Sequence, residues 1–154
     1  MSDLRIIGIG NPLMGDDGIG IAAVERLRLL ELPAGVEVID GGTGGLTLLA
    51  LMEGAQRVIL VDAVDMGRAP GSIARFGLDD LLPADPETSF SLHASGALPA
   101  LQLGRELGLL PPLSLLGVQP TEIGPGMLLS AVIASSLDPL LLILLAEIHQ
   151  CAGK

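Results

Sequence analysis

The chain has 154 residues, 49% of them apolar and 17% charged, a globular composition long enough for one domain with a sizeable core. Its 18 acids against 8 bases give a formal charge of −10, and it has two Phe and no Trp or Tyr. Nucleic-acid binding draws on clustered cations and stacking aromatics, so that class is excluded; one cysteine excludes an internal disulfide or a thiolate metal cluster.

The first segment, Leu4 to Ile9, is a short apolar run closed by Gly10-Asn11-Pro12, which predicts a buried strand and its turn. After Asp16, apolar residues from Ile19 to Leu27 recur at helical spacing. Asp16 fits the N-cap, and Asp17 then falls in the first turn, where the helix dipole favours a negative charge. Val36 to Ile39 is a second strand, followed by Asp40 and the glycine-rich GGTGG, after which Leu46 to Met52 is helical.

Val58 to Val61 is an uninterrupted apolar third strand, the composition of a strand covered on both faces, and Asp62 follows it. Gly71 to Phe76 predicts an edge strand, and Leu78 to Phe90, which carries Asp, Pro, Glu and Ser, a long surface connection. His93 to Leu107 is helical, Leu113 to Val118 is a fifth strand, and Leu128 to His149 is a last helix with Pro139 as a kink point. The stretch Met127 to Ala146 contains Asp138, Pro139 and three serines, so it predicts a core helix rather than a membrane span. The N-terminus, with Asp3 and turn residues by Gly10, does not have the pattern of a signal peptide, and a cytoplasmic protein is expected.

Strand and helix alternate throughout. This predicts a single α/β domain over residues 1–154, three-layered, with a twisted, mostly parallel five-stranded sheet and helices on both faces.

In such sheets ligands bind beyond the carboxyl ends of the strands, at the switch in strand order. Asp16 and Asp17 follow the first strand, Asp40 the second and Asp62 the third, while His93 opens a helix. With a 2-1-3 strand order, Asp17 and Asp62 face each other across one crevice. Two carboxylates and an imidazole suit zinc, nickel, iron or manganese.

Each residue also has a purely structural reading. Asp16 fits a cap better than a ligand, and Asp17 is equally at home as a solvated first-turn acid. Asp40 before two glycines makes an Asx-turn, and His93 can serve as a helix-cap partner. Asp62 is harder to explain that way, because an acid beside a β-branched run must be paired, hydrated or functional. His149, in the last helical turn, complements the helix dipole.

Gly8-Ile9-Gly10-Asn11-Pro12-Leu13 lacks the third glycine of a dinucleotide fingerprint, and no phosphate loop, nucleophile elbow or zinc helix occurs. In the GGTGG loop, backbone N–H groups of Gly41, Gly42 and Thr43 are candidates to meet a substrate carbonyl or an anion.

Taken together, GIGNPLMGDDGIG (Gly8 to Gly20), DGGTGG (Asp40 to Gly45), VDAVDMGRAPG (Val61 to Gly71), SLHASG (Ser91 to Gly96) and GVQP (Gly117 to Pro120) resemble the hydrogenase maturation endopeptidases. The segments come in the family's order and cover the chain from end to end. The resemblance implies that Asp17, Asp62 and His93 are the metal-binding and catalytic set. It also implies that the enzyme removes a C-terminal extension from the precursor of a nickel–iron hydrogenase large subunit. The nickel already inserted in that precursor is then the recognition signal, and the same donor set also suits zinc or another divalent metal. Asp40, in the family's DGG segment, is a candidate water-positioning acid, with water as the attacking group. The alternative is a non-enzymatic nickel-binding or escort protein for the same precursor. Neither a nucleic acid nor a membrane is expected as a partner.

Overall fold

The structure is a computed structural model that describes residues 2–83, 97–126 and 128–152. Five strands form one sheet: β1 (Leu4–Gly8), β2 (Val36–Asp40), β3 (Val58–Ala63), β4 (Ile73–Gly77) and β5 (Leu113–Val118). Their order is β2-β1-β3-β5-β4, with every pair parallel except the edge strand β4, which runs antiparallel to β5. The strands fall where the apolar runs place them, and the 2-1-3 order holds.

Helices α1 (Ile19–Leu27) and α5 (Ala131–Ala152) cover one face; α2 (Thr47–Met52), α4 (Ala97–Leu107) and the short α3 (Leu78–Leu81) cover the other. Alternate strand residues feed the two cores. Ile6, Ile59, Val61 and Leu116 pack with α1 and α5, whereas Ile7, Leu60 and Leu115 pack with α2 and α4. A three-layer α/β architecture results.

The connection expected from Leu78 onward opens as a helix instead. Leu81 and Leu82 are buried there, and the Asp80 carboxylate accepts a hydrogen bond from Gly77 N at 2.8 Å. Apolar burial thus extends the core beyond β4; residues 84–96, which hold the remainder of that connection and His93 at the expected start of the next helix, lie outside the described residues. Among the described residues one helix, α5, is long and apolar enough to cross a membrane. Here it lies on the sheet, with Ile133, Leu137, Leu140, Leu141, Leu144 and Ile148 in the core. It carries Pro139 in its interior. Glu147 near its end receives Arg57 at 2.9 Å and also pairs with Arg75, fixing the helix to β4 and the start of β3.

Helix α1 approaches the sheet unusually closely, because Gly20 faces the backbone. A Cβ there would sit 2.2 Å from the Val61 carbonyl oxygen and 2.5 Å from that of Ile9. Both obstacles are main chain and cannot rotate away. Gly20→Ala is therefore expected to destabilise by about 2 kcal/mol, lowering the melting temperature by about 4–8 °C. Thermal denaturation followed by circular dichroism measures it, and an unchanged midpoint would show that α1 can be displaced at no cost.

Candidate active site

The carboxyl end of the parallel strands is where the chain changes direction most sharply. Beyond Gly8 the ladder runs one residue further, Ile9 N donating to the Val61 carbonyl at 2.9 Å. Gly10 then takes a φ of 143°, and a Cβ on it would lie 2.0 Å from the Asp17 carbonyl oxygen, so only glycine permits this turn. The turn brings Asn11 N to 2.8 Å from Asp17 Oδ2.

Asp16–Gly18 form a 3-10 turn between β1 and α1, and this turn packs against β3. Asp17 is buried on it, at 3% exposure. Asp62, fully buried near the end of β3, falls by strand alternation on the face shared with Leu60, and its Oδ1 accepts from Ala63 N at 2.8 Å. The expected pair of carboxylates is therefore delivered to one edge of the sheet by neighbouring strands. The third expected ligand, His93, lies outside the described residues. Among the described residues no group of three His, Cys, Asp or Glu is assembled.

Asp16 departs from its expected role. It caps no helix; its buried carboxylate reaches across to the segment between β5 and α5. Oδ1 accepts from Ser130 N at 2.7 Å, and Oδ2 accepts from Ser130 Oγ at 2.9 Å, Thr121 N at 3.0 Å and Glu122 N at 3.3 Å. Burial alone would raise its pKa, but these donors from Ser130, Thr121 and Glu122 together outweigh it and hold the group below its ordinary value. The same segment is tied to the β1 loop by main-chain bonds: Gly15 N donates to Gly126 O at 2.8 Å and Gly126 N to Leu13 O at 3.0 Å. An open cleft of about 280 Å³ lies over Asp16 between these loops. No local pattern announces this arrangement, since the donors are 105 to 114 residues away.

Asp40 ends β2 at the exposed rim and forms the Asx-turn, its Oδ1 accepting from Gly42 N at 2.8 Å. The glycine loop is stitched to β1 by Gly41 N to Gly8 O at 2.7 Å and Gly10 N to Gly42 O at 2.8 Å. The N–H groups of Gly41 and Gly42 are thus engaged inside the protein, which corrects the expectation that they offer free donors, and Thr43 is left at the exposed tip.

Gln119, one residue past β5 in the GVQP segment, is buried and uses its whole amide. Oε1 accepts from Met66 N at 2.6 Å and Arg68 N at 3.4 Å, while Nε2 donates to Asp65 Oδ1 at 3.2 Å and Pro120 O at 3.4 Å. It shapes the loop that follows Asp62. The GVQP spelling signalled the segment, but not the partner of its glutamine.

The profile of the hydrogenase maturation protease family matches residues 21–147. A putative hydrogenase maturation protease of Methanocaldococcus jannaschii is 36% identical over 155 residues, covering 96% of this chain and 97% of that protein. A hydrogenase expression/formation protein of Rhodobacter capsulatus is 38% identical over 120 residues, 77% of this chain; the chain spans only 57% of that relative's length. The solved hydrogenase maturating endopeptidase HybD from Escherichia coli has the same fold, with a TM-score of 0.81, 30% identity, and 96% and 93% of the two chains covered. The end-to-end agreement in sequence and fold shows that the chain belongs to the hydrogenase maturation proteases, a family of endopeptidases.

Proposed function

We propose that this protein cuts one peptide bond to release the C-terminal extension of a nickel-loaded hydrogenase large-subunit precursor, in the cytoplasm, late in maturation. The observation that carries this reading is the pair of buried carboxylates, Asp17 and Asp62, which adjacent parallel strands bring to one sheet edge. Two carboxylates, with His93 as the third donor, form a hard-to-intermediate set suited to nickel. Three protein ligands leave coordination positions open for groups of the precursor and for water.

The nickel is part of the substrate. Bridging enzyme and precursor, it orients the scissile bond in the manner of a template and polarises its carbonyl. Water is the attacking group, and Asp40, in the DGG segment that follows β2, is the acid assigned to position it. The same donor set suits zinc or another divalent metal.

The test is the intact mass of a cognate large-subunit precursor, nickel-loaded and nickel-free, before and after incubation with the protein. Loss of a C-terminal peptide from the nickel-loaded form alone is expected. A stable complex with no mass change would identify an escort protein instead, and cleavage of both forms would remove the nickel gate.

A further inference from the structure

Seven of the chain's eight basic residues are arginines, and the eighth, Lys154, lies outside the described residues. Six guanidinium groups are engaged. Arg5, Arg28 and Arg105 donate to main-chain carbonyls, and Arg26, Arg57 and Arg75 pair with carboxylates. Arg68 differs: among the described residues its exposed side chain has no hydrogen bond or ion pair. It is also the one arginine on the loop that directly follows Asp62, at the carboxyl edge of the parallel strands.

That loop is held in shape. Besides the four bonds of the Gln119 amide, Asp65 Oδ1 accepts from Gly67 N at 3.1 Å, and Gly71 N donates to Gln119 O at 2.8 Å. A buried amide with all its hydrogen-bonding capacity used positions the Arg68 backbone, while the guanidinium is left uncommitted in a chain of charge −10. Such a group has a planar fork that matches a carboxylate in two-point contact.

We infer that Arg68 is a specificity-determining residue that binds a carboxylate of the peptide extension, with Gln119 as its positioning residue. The inference rests on the proposed peptidase reading. Two sources share this chemistry, the terminal α-carboxylate of the extension and an Asp or Glu side chain within it.

The experiment compares cleavage kinetics of the nickel-loaded precursor by wild type, Arg68→Glu, Arg68→Lys and, as a charge control on the far end of α1, Arg28→Glu. Absence of cleavage by the wild type would remove the peptidase reading itself. Given wild-type cleavage, Arg68→Glu is expected to raise KM about three- to tenfold with kcat retained. The rise should shrink at high salt, and Arg68→Lys should restore part of the loss. Arg28→Glu should leave both constants unchanged. Repeating the assay on a precursor with an amidated C-terminus identifies the source: the Arg68 effect vanishes if the terminal carboxylate is bound and persists if a side chain is. A KM for Arg68→Glu equal to that of wild type or of Arg28→Glu, or a loss confined to kcat, would overturn the inference.

Discussion

Asp62→Asn is expected to lower the rate of precursor cleavage by at least about 10³-fold while leaving the melting temperature within a few degrees of wild type. The substitution is isosteric, and its amide oxygen can still accept from Ala63 N, the 2.8 Å contact that fixes the side chain. What disappears is a negative charge at the proposed metal-meeting edge. A metal bridge to substrate supplies several kcal/mol of orientation and charge stabilisation, and each 1.36 kcal/mol is a tenfold change in rate. Asp17→Asn should behave alike, because Asp17 lies on the 3-10 turn packed against β3 and keeps its contact with Asn11 N through the equivalent oxygen. The assay is single-turnover cleavage read by mass spectrometry, with circular dichroism on the same samples. Near-normal cleavage by either variant would remove that residue from the metal-meeting set.

Asp16→Ala should have the opposite signature, a large loss of stability. The alanine leaves the donors from Thr121, Glu122 and Ser130 without their acceptor and frees the segment that closes the cleft over the first turn. Charge-assisted bonds of this kind suggest a cost of about 3–5 kcal/mol, a fall of about 6–20 °C in melting temperature. The pH dependence follows from the direction of the shift. A carboxyl whose folded pKa is held below its unfolded value stabilises the fold above the unfolded value, ordinarily near 3.8, and that contribution is lost as the pH falls through the folded value. Wild type should therefore lose stability below about pH 4 more steeply than Asp16→Ala. Parallel acid-denaturation curves for the two proteins would refute the clamp.

The contrast between Asp16 and Asp17 shows how neighbouring acids acquire different duties. Both are buried on one turn, but the Asp16 carboxylate reaches the β5–α5 segment and accepts from its donors, whereas Asp17 Oδ2 accepts from Asn11 N on the loop after β1. A 3-10 turn separates successive side chains by about 120°. The tight path through Gly10, impossible with a Cβ in place, fixes which acid faces which way.

The sequence by itself determined the strands, the layering and the carboxylates that end the strands. These follow from local rules: apolar runs of strand length, helical periodicity, and glycine or aspartate where a strand must stop. It also marked Asp62, because an acid closing a buried strand has few structural excuses, whereas Asp17 and Asp40 each had a structural reading as good as the functional one. Only the tertiary structure decided that Asp16 clamps a distant segment instead of capping α1, that the Gly41 amide is engaged by Gly8 of β1, and that Gln119 shapes the loop carrying Arg68. Each of these is a hydrogen bond between groups that no sequence periodicity relates, the Asp16 and Gln119 contacts spanning 51 to 114 residues. Such pairs arise from where the sheet's crossovers set the loops side by side, and the requirement that every buried polar group find a partner then selects among them.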